Sequence, residues 1–157
     1  MIAGENKECR ELLEREAVVE VANRLFIATD DRDWDTALSC FADEVLYDMT
    51  SITGGAPERM SALRIVEGWN EGLRALKAIH HQVGNHVVRI QRDEADLFCY
   101  GIAIHYLPNG TNRNTRTFVG SYDLHLQRVR DTWRVDRFAF HLKFVDGNVD
   151  LESSQSS

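Results

Sequence analysis

From His81 onward the sequence gives up helical spacing and alternates apolar with polar residues in four runs, His81–Gln91, Ala95–Leu107, Thr115–Arg130 and Thr132–Val145. Short turn-forming stretches separate the later runs: Pro108-Asn109-Gly110 joins the second to the third, and Arg130-Asp131 joins the third to the fourth. Long strands with such short links pair antiparallel, so the second half of the chain is one meander. In the third run Phe118, Gly120, Tyr122, Leu124 and Leu126 take one face. Thr117, Ser121, Asp123, His125 and Gln127 take the other. A sheet with one apolar face has to be covered on that face by something else in the chain.

The first half supplies the cover. Between Glu11 and Thr29, Leu12, Val18, Val21, Ala22, Leu25 and Phe26 recur at helical spacing among Glu14, Glu16, Glu20 and Arg24. Asp30-Asp31-Arg32-Asp33 ends this helix, and Asp33 is placed to cap a short second one over Trp34–Phe41. Glu44–Met49 reads as a strand, Thr53–Pro57 as a turn, and Ala62–Leu76 as a third helix. Helices first and a strongly curved antiparallel sheet afterwards make an α+β domain with a pocket between the layers. The expectation is one domain over residues 1–146, followed by a polar, disordered tail over 147–157.

A formal net charge of −7 argues against a phosphate-backbone partner, which calls for clustered Lys and Arg, so no nucleic acid is expected. Cys9, Cys40 and Cys99 are odd in number and widely spaced, with no paired spacing for zinc or a disulfide framework. They read as reduced thiols of a cytoplasmic protein. The N-terminal stretch is charged throughout, and no apolar run is long enough for a signal peptide or a membrane span.

The residues with chemical potential are Asp30 at the end of the first helix, His81 at the head of the first long strand and His105 in the second. A carboxylate that orients one imidazole, with a second imidazole across a cavity, suffices for general acid–base chemistry near neutral pH. His105 shares its face with Cys99, Gly101 and Ala103, small residues that leave room for a ligand. A structural histidine at the edge of the core is the plainer reading of the same position. No HxH or HxxxH spacing supports a metal, and a carboxylate-supported dyad requires neither metal nor cofactor. Asn85 and Tyr122 are candidates to hydrogen-bond a substrate oxygen, with Tyr47 or Tyr100 as a further phenol; Trp34, Trp69 and Trp133 read as core.

Asp33-Trp34-Asp35, His81-Gln82-Val83-Gly84-Asn85 and Thr132-Trp133-Arg134-Val135, in this order, resemble the SnoaL-like branch of the NTF2-like superfamily, and within it scytalone dehydratase and its relatives. The resemblance spans about Glu11 to Val145 and implies a cone of helices capped by a bent sheet around an apolar pocket. It also implies that Asp30 orients His81 as a base, as in a related dehydrochlorinase, with His105 as its partner. The two tyrosines of the dehydratase site align with Thr29 and Met49 here, and a serine and an asparagine align with Gly120 and Tyr122. The implied activity is a cofactor-independent lyase or isomerase acting on a small, largely apolar cyclic or aromatic hydroxy-ketone. The alternative is a non-catalytic ligand-binding domain or a partner subunit.

The expected partners are a small-molecule substrate and further copies of the chain, with no membrane. Phe138, Phe140, Leu142 and Phe144 form an apolar row on the last strand, read as a surface through which a dimer or trimer associates unless it is itself the pocket wall. Light scattering at micromolar protein is expected to give a multiple of 18.0 kDa; the monomer mass would rule out a stable oligomer.

Overall fold

The alternating runs become the four long strands of an open six-stranded sheet in the computed structural model, which describes residues 2–153. In chain order the elements are helix α1 (Ile2–Asp31), α2 (Trp34–Ser39), strand β1 (Phe41–Asp48), α3 (Thr50–Thr53), β2 (Glu58–Ser61), α4 (Ala62–Leu73), β3 (Ala78–Gln91), β4 (Glu94–Tyr106), β5 (Thr115–Val129) and β6 (Thr132–Gly147). The sheet order is β2-β1-β6-β5-β4-β3. All neighbours are antiparallel except β1 and β6, which run parallel, with Tyr47 beside Phe138. The strand β2 and this parallel pair are absent from the sequence reading.

The caps follow their chemistry. Asp33 accepts a hydrogen bond from the Thr36 amide at 3.1 Å, starting α2, and Ser61 accepts one from Arg64 at 3.3 Å, starting α4. The β5–β6 hairpin turns on Arg130 (φ 49°) and Asp131 (φ 64°), both left-handed, which suits the twist of the flanking strands.

Val18, Val21, Ala22, Leu25 and Phe26 of α1 are buried against the concave face of the sheet. Leu12 is 67% exposed, so the apolar face of the helix is not buried over its whole length. From β6, Phe138 and Phe140 are 3% and 2% exposed and point inward, so the expected surface row is largely interior wall. A β-bulge between Gly120 and Val119 then shifts the register: Leu142 pairs with Gly120, and Phe144 with Val119. The extra residue inverts the alternation and turns Phe144 outward, 55% exposed. Tyr100 and Ile102 are also exposed on that outer face. Any association through the sheet must therefore use these residues and not Phe138 and Phe140.

Residues 148–153, expected to start a disordered tail, turn back onto the domain. Leu151 is fully buried in a small second core with Leu76, Ile79 and Leu107, and the Asn148 backbone N–H donates to the Thr115 carbonyl at 2.8 Å, so burial and hydrogen bonding together pin the turn. The remainder of the expected tail, 154–157, lies outside the described residues. The three cysteines are free, Cys9 exposed and the other two buried. No helix among the described residues is long and apolar enough to cross a membrane.

Candidate active site

Asp30 reaches the head of β3 because α1 ends against it. The Asp30 carboxylate is used entirely by one residue: Oδ2 accepts the His81 backbone N–H at 2.7 Å, and Oδ1 lies 2.6 Å from His81 Nδ1. An ionised carboxylate only accepts, so Nδ1 carries a ring hydrogen, and in the neutral imidazole Nε2 keeps its lone pair. Both side chains are mostly shielded, at 14% and 12% exposed, and the His81 ring lies 5.4 Å from that of Phe26.

His81 opens into a cavity of about 370 Å³ between the helices and the sheet, also lined by His105, Thr29, Tyr47, Met49 and Tyr122. The volume is in the range of small-molecule sites. A larger groove of about 670 Å³ lies between the first half of α1 and strands β3 and β5, but its lining is mostly charged, including Lys7, Arg10 and Arg92, and it contains no dyad.

His105 stands on the same wall as His81 and not across the cavity. His81 pairs with Ala103, and His105 pairs with Ile79, two residues before His81 on β3, which makes the two histidines diagonal neighbours. Burial, then the Arg116 guanidinium, then His81 lower the His105 imidazole to about 4, so it is neutral at physiological pH. Arg116 Nη2 lies 3.0 Å from His105 Nδ1, and the Phe118 ring meets the imidazole edge-on at 5.3 Å.

The phenols differ in placement. Tyr47 Oη accepts the Trp69 indole N–H at 2.8 Å, leaving its own hydrogen to donate. Burial raises the Tyr47 and Tyr122 hydroxyls above the ordinary phenol value, so both stay protonated. Tyr122 fits because its diagonal neighbour on β4 is Gly101; a β-carbon there would stand 2.2 Å from the Tyr122 ring. The Thr29 hydroxyl donates to the Leu25 carbonyl at 2.8 Å, and Met49 adds apolar wall.

Two expected substrate contacts are elsewhere. Asn85 occupies a bulge in β3 with φ 58°, is exposed, and does not line the cavity. Tyr100 is 46% exposed on the outer face, under Lys143. Trp69, expected as core, lines the cavity and holds Tyr47. Arg116 and Glu152 escaped the sequence reading. Arg116 was open to detection, because it shares the inner face of β5 with Phe118 and Tyr122 and is opposite His105. Glu152 carries no comparable signal. Among the described residues no group of three or more His, Cys, Asp or Glu is arranged to hold a metal ion.

A family model for the SnoaL-like domain matches residues 10–139. Among solved structures, Kfla4162 from Kribbella flavida superposes with a TM-score of 0.86 at 24% identity, covering 91% of this chain and 99% of that one. A candidate scytalone dehydratase from Novosphingobium aromaticivorans gives 0.74 at 15% identity, covering 88% and 89%. Hexachlorocyclohexane dehydrochlorinase LinA-type3 from Novosphingobium barchaimii gives 0.72 at 14% identity, covering 90% and 94%. No curated protein matches the chain by sequence. The family match and the superpositions bear out the expected cone of helices under a bent sheet.

Proposed function

The chain belongs to the SnoaL-like domain family, and on that premise we propose that it is an acid–base lyase or isomerase of the dehydratase type. The observation that carries this reading is the Asp30–His81 pair, whose bare Nε2 belongs to a residue lining a largely apolar cavity. A dehydratase and a dehydrochlorinase among the structural neighbours support the same direction, since both names denote elimination.

In the proposed reaction His81 Nε2 removes the proton from a carbon next to a carbonyl, and the C–H electron pair moves into the enolate. Asp30 stabilises the imidazolium that results. The enolate re-forms the carbonyl and expels a β-hydroxyl, which leaves as water with the proton His81 returns. Returning that proton to another carbon instead gives isomerisation. No electron leaves the substrate, so the chemistry calls for no redox group. The apolar walls of Phe118, Phe138 and Phe140 suit a small cyclic or aromatic hydroxy-ketone.

The test is a panel of cyclic β-hydroxy-ketones in D₂O, followed by NMR. We expect deuterium at the carbon next to the carbonyl, or the dehydrated enone, for members that raise the melting temperature. Members that bind while showing neither exchange nor loss of water would overturn the catalytic reading and leave a binding domain.

A further inference from the structure

We propose that Arg116, held in place by Glu152, locks His105 as the Nε2–H tautomer, and that His105 thereby serves as the hydrogen-bond donor that holds the substrate's carbonyl oxygen, not as a second proton carrier. This assignment rests on the acid–base reading of the cavity.

A guanidinium has donors and no acceptor. With Arg116 Nη2 at 3.0 Å, His105 Nδ1 can only accept, and the single hydrogen of the neutral ring must be on Nε2. The guanidinium is itself fixed. Its Nη2 donates to Glu152 Oε1 at 2.7 Å and its Nη1 to Oε2 at 2.8 Å, a bidentate fork, while Nη1 also reaches the Val149 carbonyl at 3.2 Å. Arg116 is 15% exposed, and its backbone is paired directly with that of His105. Glu152 is held because its neighbour Leu151 is fully buried. The turn after β6 thus sets the state of a ring on β4.

Protonating Nδ1 would aim an N–H at another N–H and expel Arg116. The charged and titratable groups around His105 are Arg116, His81, Glu152 and Asp30, and with burial their net effect keeps the ring neutral. With its midpoint lowered to about 4 and its hydrogen on Nε2, the His105 ring is a poor proton carrier but a competent donor to an oxygen that becomes an enolate. His81 and His105 then hold opposite tautomers on one wall, one nitrogen bare and the other bearing hydrogen. A carbonyl oxygen and the hydrogen on the adjacent carbon are three bonds apart on the same edge of a substrate. Two diagonal neighbours in a sheet suit that span better than groups facing each other across a cavity.

The experiment reads the ring nitrogens of ¹⁵N-histidine-labelled protein by long-range ¹H–¹⁵N correlation, assigned with a His105→Gln variant. We expect hydrogen on Nε2 of His105 throughout pH 5–8, and hydrogen on Nδ1 of His81 in its neutral form. In Arg116→Met the His105 ring should become a tautomer mixture, with its midpoint rising from about 4 toward the ordinary histidine value. Arg116→Lys should recover part of the wild-type tautomer. Glu152→Gln, which weakens the fork that holds Arg116, should mix the His105 tautomers to a smaller extent; it serves as the second variant if Arg116→Met does not fold. Hydrogen on Nδ1 of wild-type His105, or variants with unchanged tautomer and midpoint, would overturn the lock. That outcome leaves the role of His81 standing, whereas the expected tautomers in a protein that binds ketones without exchange would overturn the acid–base reading alone.

Discussion

Replacing His81 with alanine is expected to lower the rate of deuterium exchange or dehydration by about 10²–10⁴, the usual contribution of a positioned general base, with the fold unchanged. The fold should persist because the backbone N–H of residue 81 still donates to Asp30 Oδ2, the link that ties β3 to the end of α1. Asp30→Asn makes a sharper comparison. An amide can present its oxygen or its nitrogen to Nδ1, and the latter forces the hydrogen onto Nε2 and removes the base without removing the ring. Exchange in Asp30→Asn should fall nearly as far as in His81→Ala, with circular dichroism unchanged. Exchange within a factor of two of wild type in both variants would remove the dyad from the mechanism.

Phe138→Ala is expected to cost about 3–5 kcal/mol of folding free energy, a large part of the roughly 5–15 kcal/mol that ordinary domains possess. Phe138 is 3% exposed, and its ring is 5.4 Å from Trp69, 5.5 Å from Tyr122 and stacked at 5.8 Å on Tyr47. It also meets Phe26 and Phe41, each at 6.3 Å. Truncation leaves these partners on several different elements, where they cannot all close in at once, so the cavity term adds to the lost burial. Urea unfolding should show a lower midpoint at an unchanged slope, and Phe138→Leu should lose much less. A loss under about 1 kcal/mol for the alanine variant would mean that the aromatic cluster repacks freely.

The long strands were legible because alternation is a direct imprint of the pleat, and Asp30 with His81 because one ends a helix and the other begins a strand. What alternation cannot register is an inserted residue. The bulge near Gly120 gives Phe144 the opposite face from Phe140, and the one in β3 carries Asn85 away from the cavity. Tyr47 and Tyr100 look alike in sequence, but only placement in the sheet separates a wall phenol from a surface one. The strand β2 has four residues and a polar composition, too little for any periodic signal. Glu152 was hidden for a different reason: its position depends on one leucine among polar neighbours, and composition averages that leucine away.

The parallel pairing of β1 with β6 joins Tyr47 to Phe138 and Asp48 to Ala139, so an early strand of the chain is completed by the last. Until β6 is made during synthesis, β1 has only the short β2 as a sheet neighbour. The buried face of α1 likewise lacks the aromatic side chains of Phe138 and Phe140. Loop closure over such separations is slow, and during that interval an exposed strand edge and an apolar helix face are available to wrong partners. The nascent chain is therefore most vulnerable to aggregation shortly before its last strand is translated, and it is that strand, not the helices that precede it, that commits the molecule to its fold.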